Sequence, residues 1–446
     1  MKTLAAIGLS GLLFAASFPP MDVPVLMPVA LLLLVWVVVR LPPTLATVAG
    51  FWQGLVGYGI AASWFWEIFH VASLGLVGIL AVFHGLFGWV VARWFGPGRP
   101  LEVRILGVAC AWTTLEFLRG ELFWLNFPWY LAGSVAPRSW LLPWIGVYGM
   151  GWVMAAGAGW LVTGRRGWPG LALMAAVFVP MGVGSSGDEG APVQVALVQD
   201  ETAPLSQYLA QSEKAPQETQ LYVWPEYAYL SDLESNPADM KRLRAFLKER
   251  PEARLVLGAQ TWGEGEDWRN TAVTLNAEGV VNRHFKNHTV HLFNDGVRGT
   301  EAKPTASPFG LFGTPVCFDC DFQDVVRSMV AAGAEFLVAP TMDAATWTRR
   351  QHEQHARLFQ IRAAENGRWI GVAASSGVTQ IIDAKGRVRE RLPVMESGLL
   401  TGVLHRRVDL TFYTRWGWML PWLVLVALIM LAVRSGLARR VDGGVK

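Results

Sequence analysis

The chain has 446 residues, of which 52% are hydrophobic and 16% charged, with 22 tryptophans, a formal net charge of +3 and a positive mean hydropathy. So apolar a composition excludes an ordinary soluble protein and points to a membrane class. The three cysteines, Cys110, Cys317 and Cys320, are too few for a disulfide framework, which excludes a stapled secreted scaffold.

The N-terminus, "MKTLAAIGLSGLLFAASFPP", has the lysine, short apolar core and small residues of a cleaved signal peptide. A second apolar run, "VPVLMPVALLLLVWVVV", begins a few residues later, and two membrane helices joined by the "FPPMD" turn suit the pair better. A crossing helix needs about 20 mostly apolar residues. Runs of this kind lie near 4–18, 23–39, 45–63, 71–92, 104–118, 144–163 and 168–185, with an eighth near 416–433. Lys2, Arg40, the group Arg93, Arg99 and Arg104, then Arg165 with Arg166, and finally Arg434, Arg439 and Arg440 fall in alternate connections, as cytoplasmic loops require. Both termini are therefore expected inside and the large segment after the seventh run outside. Glu116 and Arg119 stand three apart near a span end, as do Glu67 and His70. A charge deep in a bilayer costs at least about 2.5 kcal/mol, so each couple is expected to pair or to sit at the interface, with lipid-headgroup binding a second reading for Arg119. Trp64, Trp66, Trp124 and Trp129 read as interface anchors.

Residues 188–408 hold most of the charge and alternate strand-like runs with polar helices. "VQVALVQ", "LYVWPE", "RLVLGAQTW", "TAVTLN", "LFGTPVCF", "EFLVAP", "GVAASSG" and "GLLTGVL" read as short buried strands. "PADMKRLRAFLKER", "DVVRSMVAAG" and "QHEQHARLFQIRAAENGR" read as helices, and the alternation suggests a layered α/β domain.

Three residues follow apolar runs at expected strand ends: Glu226 in "WPEY", Lys286 in "HFKNHTV" and Cys317 in "GTPVCFDCDF". They are a base, a cation and a thiol. An ammonium favours the thiolate, a carboxylate can take the proton and return it, and the lysine can also hold the oxyanion of a tetrahedral intermediate. Together they would form an acyl-transfer site.

Glu-Lys-Cys in that order, with "WPE", a strand-borne lysine, "GTPVC" and the helix "RAAENGR", resembles the nitrilase (carbon-nitrogen hydrolase) superfamily over about 192–408. "FPPMDVPVLMP", "GFWQGLVGYGIAASWFWEIFH", "LEFLRGELFWLNFPW" and "GVYGMGW" look like the membrane part of the bacterial apolipoprotein N-acyltransferases. The resemblance implies a membrane α-helical bundle of about eight spans carrying a nitrilase-like αββα sandwich. The expected domains are 1–187, the bundle; 188–408, the extracytoplasmic catalytic domain; and 409–446, a last helix with a cytoplasmic tail. It also implies transfer of an acyl chain from a phospholipid, through a cysteine thioester, to the N-terminal amine of a diacylglyceryl-cysteine lipoprotein at the bacterial inner membrane. Cys317 would then be the nucleophile, Glu226 the general base and Lys286 the oxyanion stabiliser. No metal, nucleotide cofactor or nucleic acid is expected, and the chain is expected to be a monomer.

The sequence departs from the family pattern near the site. His284 stands where the family has tyrosine, Asn294 where a supporting glutamate is expected, with Asp295 one residue out of register, and Asp319 where a glutamate follows the cysteine and an aromatic residue. These changes leave the triad intact and the acyl acceptor open. A membrane-bound amidase or an acyltransferase for another amine is the competing enzyme, and a non-catalytic scaffold the competing non-enzyme. Cys317 and Cys320 have the spacing of a redox pair or a disulfide, although no thioredoxin-like pattern surrounds them. "HEQH" at 352–355 reads as a solvated helix face, not a metal site. His284, His288 and His291 are expected at the surface or behind the site, and Arg362 and Glu365 as a local salt bridge.

Overall fold

The computed structural model describes residues 2–164, 166–182, 190–262 and 267–443, with side chains as far as 436. The expected domain boundary at 187/188, Arg165, and the side chains of Arg439 and Arg440 lie outside the described residues. The chain separates into two compact units, Met1–Met181 with Trp416–Lys446, and Gly182–Arg415.

The first unit is helical: α1 (Lys2–Ala16), α2 (Leu26–Val38), α3 (Pro43–Ala61), α4 (Phe65–Phe69), α5 (Ala72–Trp94), α6 (Leu101–Phe117), α7 (Leu142–Thr163), α8 (Trp168–Ala176) and the C-terminal helix Leu420–Gly443. Proline opens α3, α7 and α8, in the first turn, where an N–H would lack a helical partner anyway. By length and composition three described helices could cross a membrane, Ala72–Trp94, Leu142–Thr163 and Gly417–Gly436, and α1 and α2 are shorter apolar helices. The expected span 168–185 is not one long helix. Helix α8 has nine residues, about 14 Å at the α-helical rise. Pro180 disfavours helical geometry in the residue before it, and the chain there pairs with 138–140, Trp140 N–H donating to Val179 O and Met181 N–H to Arg138 O.

Helix α3 packs on α1 and α5, and small residues set how closely. A Cβ at Gly50 would lie 2.2 Å from His84 O, and one at Gly88 2.2 Å from Ala46 O, so the α3 and α5 backbones nearly touch. Glu116 and Arg119 are both buried, but not as an ion pair. Glu116 Oε1 accepts the Ala132 N–H at 2.6 Å, and Arg119 donates to Phe127 O and Trp129 O at 2.7 and 2.8 Å. Both side chains serve the largely irregular stretch between α6 and α7, whose buried backbone groups need partners. Trp64 and Trp129 are not interface anchors. They are buried with ring centroids 5.2 Å apart, and Trp64 donates to the Tyr130 hydroxyl, while Trp66 and Trp124 are exposed.

The second unit holds two six-stranded sheets. Its strands are β1 (Pro192–Gln199), β2 (Leu221–Val223), β3 (Arg254–Trp262), β4 (Trp268–Asn276), β5 (Gly279–Phe285), β6 (Thr305–Ser307), β7 (Gly310–Gly313), β8 (Phe336–Thr341), β9 (Ile370–Ala374), β10 (Gln380–Ile382), β11 (Val388–Arg391) and β12 (Gly398–His405). The sheet orders are β12-β1-β2-β3-β4-β5 and β11-β10-β9-β8-β7-β6. Alternation along the strands builds the layers. Val195 and Leu197 of β1 share a core with Phe336 and Val338 of β8, so this core lies between the sheets. Ala196 and Val198 face the other way, onto helices α9 (Leu205–Ser212) and α10 (Pro237–Lys248). Leu337 and Ala339 face α11 (Asp324–Ala331) and α12 (Arg349–Asn366). The result is a four-layer αββα sandwich. "LFGTPVCF" is not one strand: β7 stops at Gly313, and Cys317 opens a 3-10 turn ending at Cys320.

Candidate active site

Trp224 continues the pairing of β2 with β3, its N–H donating to Val256 O, and its buried indole donates to Ser212 Oγ in α9 at 2.9 Å. Pro225 has no N–H to extend the ladder, so the strand ends and the chain turns, with Tyr227 at a φ of 58°. Gly258 of β3 makes room for that turn. A Cβ there would fall 2.3 Å from Glu226 Cα. The Trp-Pro pair thus locks a turn onto the sheet and aims Glu226 inward.

Lys286 follows β5 and still pairs with β4, its N–H donating to Asn270 O at 2.9 Å. His284, two residues earlier on the same face, is also buried. Cys317 has a φ of 48°, a left-handed conformation that is uncommon outside glycine and is typical of functional turns.

The three expected residues converge. Lys286 Nζ lies 2.7 Å from Glu226 Oε1 and 2.8 Å from Asp295 Oδ2. Met342, after β8, supplies both backbone groups: its N–H donates to Glu226 Oε2 at 2.8 Å, and its carbonyl receives the Cys317 thiol at 3.7 Å. Asn270 of β4 donates to Glu226 Oε1 at 2.6 Å and Asp295 Oδ1 at 2.7 Å, and the Tyr227 hydroxyl donates to Asp295 at 2.5 Å. Glu226, Lys286 and Cys317 are 3%, 2% and 6% exposed, so the groups face one another and not water.

Burial sets the charge states. It pushes the Glu226 carboxyl up, opposed by the Lys286 ammonium and reinforced by the Asp295 charge. Burial alone would lower Lys286, but the carboxylates of Asp295 and Glu226 hold it well above its ordinary value, so it stays an ammonium. Asp295, although burial opposes it, is held below the ordinary range by Lys286. Cys317 is pushed well above the usual thiol value, first by burial and then by the Glu226 carboxylate. Cys317 therefore rests as a thiol, with the Glu226 carboxyl as the proton-accepting group beside it.

Asp295, out of register in the sequence, occupies the supporting position beside Lys286 in space. His284 and Asp319 meet each other: His284 Nε2 is 3.0 Å from Asp319 Oδ2, and Asp319 also accepts the N–H groups of Asn287, His288 and Val316. That carboxylate straps the segment after Lys286 to the turn of Cys317. The buried His284 is thus behind the site, whereas His288 and His291 are only partly buried. Cys317 and Cys320 are free thiols. The "HEQH" face is buried, not solvated, with His352 and His355 at 0% and 2% exposure. Arg362 and Glu365 pair at 3.1 Å, as their spacing predicts. Asn270, Tyr227 and Met342 were not singled out from the sequence. Asparagine is depleted in strands, so Asn270, just ahead of "TAVTLN" in β4, is the available signal for the first, while a backbone amide leaves no trace in residue type. Among the described residues no group of three His, Cys, Asp or Glu side chains could hold a metal.

Two family models match the chain nearly end to end: the apolipoprotein N-acyltransferase N-terminal domain over residues 10–180 and carbon-nitrogen hydrolase over 191–413. The chain belongs to the apolipoprotein N-acyltransferases of the carbon-nitrogen hydrolase superfamily. An apolipoprotein N-acyltransferase of Methylococcus capsulatus is 29% identical, covering 94% of this chain and 93% of its own length. One from Azotobacter vinelandii is 27% identical over 97% of this chain and 95% of its own. An amidase from Nesterenkonia sp. is similar over 53% of this chain and 95% of its own, at 21% identity and a TM-score of 0.40.

Proposed function

We propose that this inner-membrane enzyme transfers a fatty acyl chain from a phospholipid to the N-terminal amine of a diacylglyceryl-cysteine lipoprotein, with Cys317 as nucleophile, Glu226 as general base and Lys286 as oxyanion stabiliser. The assignment rests on Lys286 pairing with Glu226 while Glu226 and the buried Cys317 thiol both meet the backbone of Met342. Glu226 takes the Cys317 proton and the sulfur adds to the ester carbonyl. Lys286 stabilises the oxyanion, an effect typically worth about 100- to 1000-fold in rate. The carbon–oxygen bond then breaks, Glu226 returns its proton to the departing lysophospholipid oxygen, and a thioester remains. The lipoprotein amine adds to that thioester, Glu226 accepts the amine proton, the carbon–sulfur bond breaks, and the proton returns to sulfur.

A lipid donor is supported by the segment that delivers Asp295, where Leu292, Phe293 and Val297 are 63%, 43% and 39% exposed. The alternating arginines support a multi-pass arrangement of about eight membrane segments, with both termini cytoplasmic and the sandwich on the outer face. Phosphatidylethanolamine and a synthetic diacylglyceryl-cysteine peptide, incubated with the purified enzyme, test the reading. Equimolar lysophospholipid and N-acylated peptide are expected. Free fatty acid with no acylated peptide would instead make the protein a hydrolase or an acyltransferase for another acceptor.

A further inference from the structure

A buried charged cluster outside the triad has no part in the chemistry above. His355, on the buried face of α12, places Nδ1 2.8 Å from Asp343 Oδ1 and Nε2 3.2 Å from Asp321 Oδ1. All three side chains are at most 3% exposed. Asp321 closes the 3-10 turn that Cys317 opens. Asp343 follows Met342, whose amide and carbonyl hold Glu226 and the Cys317 thiol. His355 therefore bridges the two backbone segments whose separation fixes the distance between nucleophile and base.

The surroundings fix the far side of this bridge. Asp343 Oδ1 also accepts from Gln351 Nε2 at 2.8 Å, its N–H donates to Ser375 Oγ at 3.1 Å, and Ser375 Oγ donates back to Asp343 O at 3.0 Å. A Cβ on Gly377 would lie 2.3 Å from Asp343 Oδ2, so the carboxylate is closely packed. Burial opposes a charge on His355, but the Asp343 and Asp321 carboxylates outweigh it and raise its pKa to about 10. His352 also acts on Asp343, and the Asp343 charge in turn helps to push the Cys317 thiol up.

We infer that His355 is a positioning residue: as an imidazolium between Asp321 and Asp343, it clamps the turn of Cys317 to the loop of Met342 and holds the thiol in reach of Glu226. This rests on Cys317 being the nucleophile. Small misplacements of reacting groups can cost about 100-fold in rate, and groups acting as a unit give non-additive losses.

The test is a double-mutant cycle of His355→Gln and Asp321→Asn in the full-length enzyme, reading thioester formation per folded molecule against phosphatidylethanolamine concentration, and alkylation of Cys317 by iodoacetamide. Each single variant should slow thioester formation at least about tenfold at saturating lipid, with an unchanged half-saturating concentration, and the double variant should be no slower than His355→Gln. Fully additive losses, or a wild-type rate per folded molecule in either single variant, would overturn the clamp. If His355→Gln does not fold, Asp321→Asn alone decides by the same criterion. If the wild type forms no thioester, the catalytic reading fails. The clamp is then judged by alkylation, which should still differ between wild type and Asp321→Asn, and an equal rate overturns it.

Discussion

At the residue scale the site is one ammonium shared by two carboxylates. Lys286 is within 2.8 Å of both Glu226 and Asp295, but the settings of the two carboxylates differ: Glu226 also takes the Met342 N–H, whereas Asp295 takes the Tyr227 hydroxyl and the Val290 N–H. Lys286, with those donors, holds Asp295 below the ordinary range, whereas burial pushes Glu226 up, which suits the base proposed for it. The Asp295 charge raises Glu226, so its removal should lower it. Asp295→Asn is accordingly expected to shift the acid limb of the pH–rate profile of thioester formation to lower pH while reducing the maximal rate. Breaking a buried pair by removing one partner costs about 3–5 kcal/mol, so the same variant should also unfold at a lower temperature. An acid limb that stays in place or moves upward would show that Asp295 does not set the base. His355 gives a second prediction, in stability. Its folded pKa of about 10 lies above the ordinary 6.5, so its contribution is fully present below 6.5 and is lost as pH rises through 10. The difference in Tm between wild type and His355→Gln should be widest below about pH 6.5 and narrow steadily toward pH 10, as read in a thermal-shift series.

At the element scale, close approach decides where the groups of the candidate site stand. The Glu226 turn fits against β3 only because residue 258 lacks a Cβ. Overpacking typically costs about 1–3 kcal/mol, so Gly258→Ala should displace Glu226 and slow thioester formation more than it lowers Tm. A variant with unchanged kinetics would show that the turn yields freely. In the helical unit Gly50 plays the equivalent part against α5. Gly50→Ala should lower the thermal stability of the detergent-solubilised protein. Most long elements of the sandwich were legible, since apolar alternation and amphipathic spacing come directly from burial. The misses have physical causes. Strands β5, β6, β10 and β11 are short or carry polar residues on an exposed face, as in "VRER" of β11, and such runs look like loops. "LFGTPVCF" is apolar throughout because it is buried, although its second half is a turn.

At the scale of the whole molecule the apolar composition and the chain order of glutamate, lysine and cysteine point to the family that the matches show, because each follows from a constraint that acts on residue type. What the sequence did not disclose is pairing in space. The spacing of Glu116 and Arg119 suggests an ion pair, yet each side chain answers to backbone groups that a helical reading does not reveal. Likewise His284 and Asp319 stand 35 positions apart and are recognisable as partners only once β5 and the Cys317 turn are brought together. The proposed topology predicts that an externally added protease cleaves the sandwich in spheroplasts while a tag after residue 446 is protected. Cleavage of the tag with protection of the sandwich would invert the orientation.

If Cys317 carries the acyl group, the group should be found on the intact protein. Intact-protein mass spectrometry after incubation with a defined phosphatidylethanolamine, wild type beside Cys317→Ser, tests it most directly. An acyl-sized mass gain is expected in the wild type alone, removed by hydroxylamine at neutral pH. No gain in wild-type protein whose Cys317 is shown to be reduced and whose phospholipid is shown to be bound would contradict it.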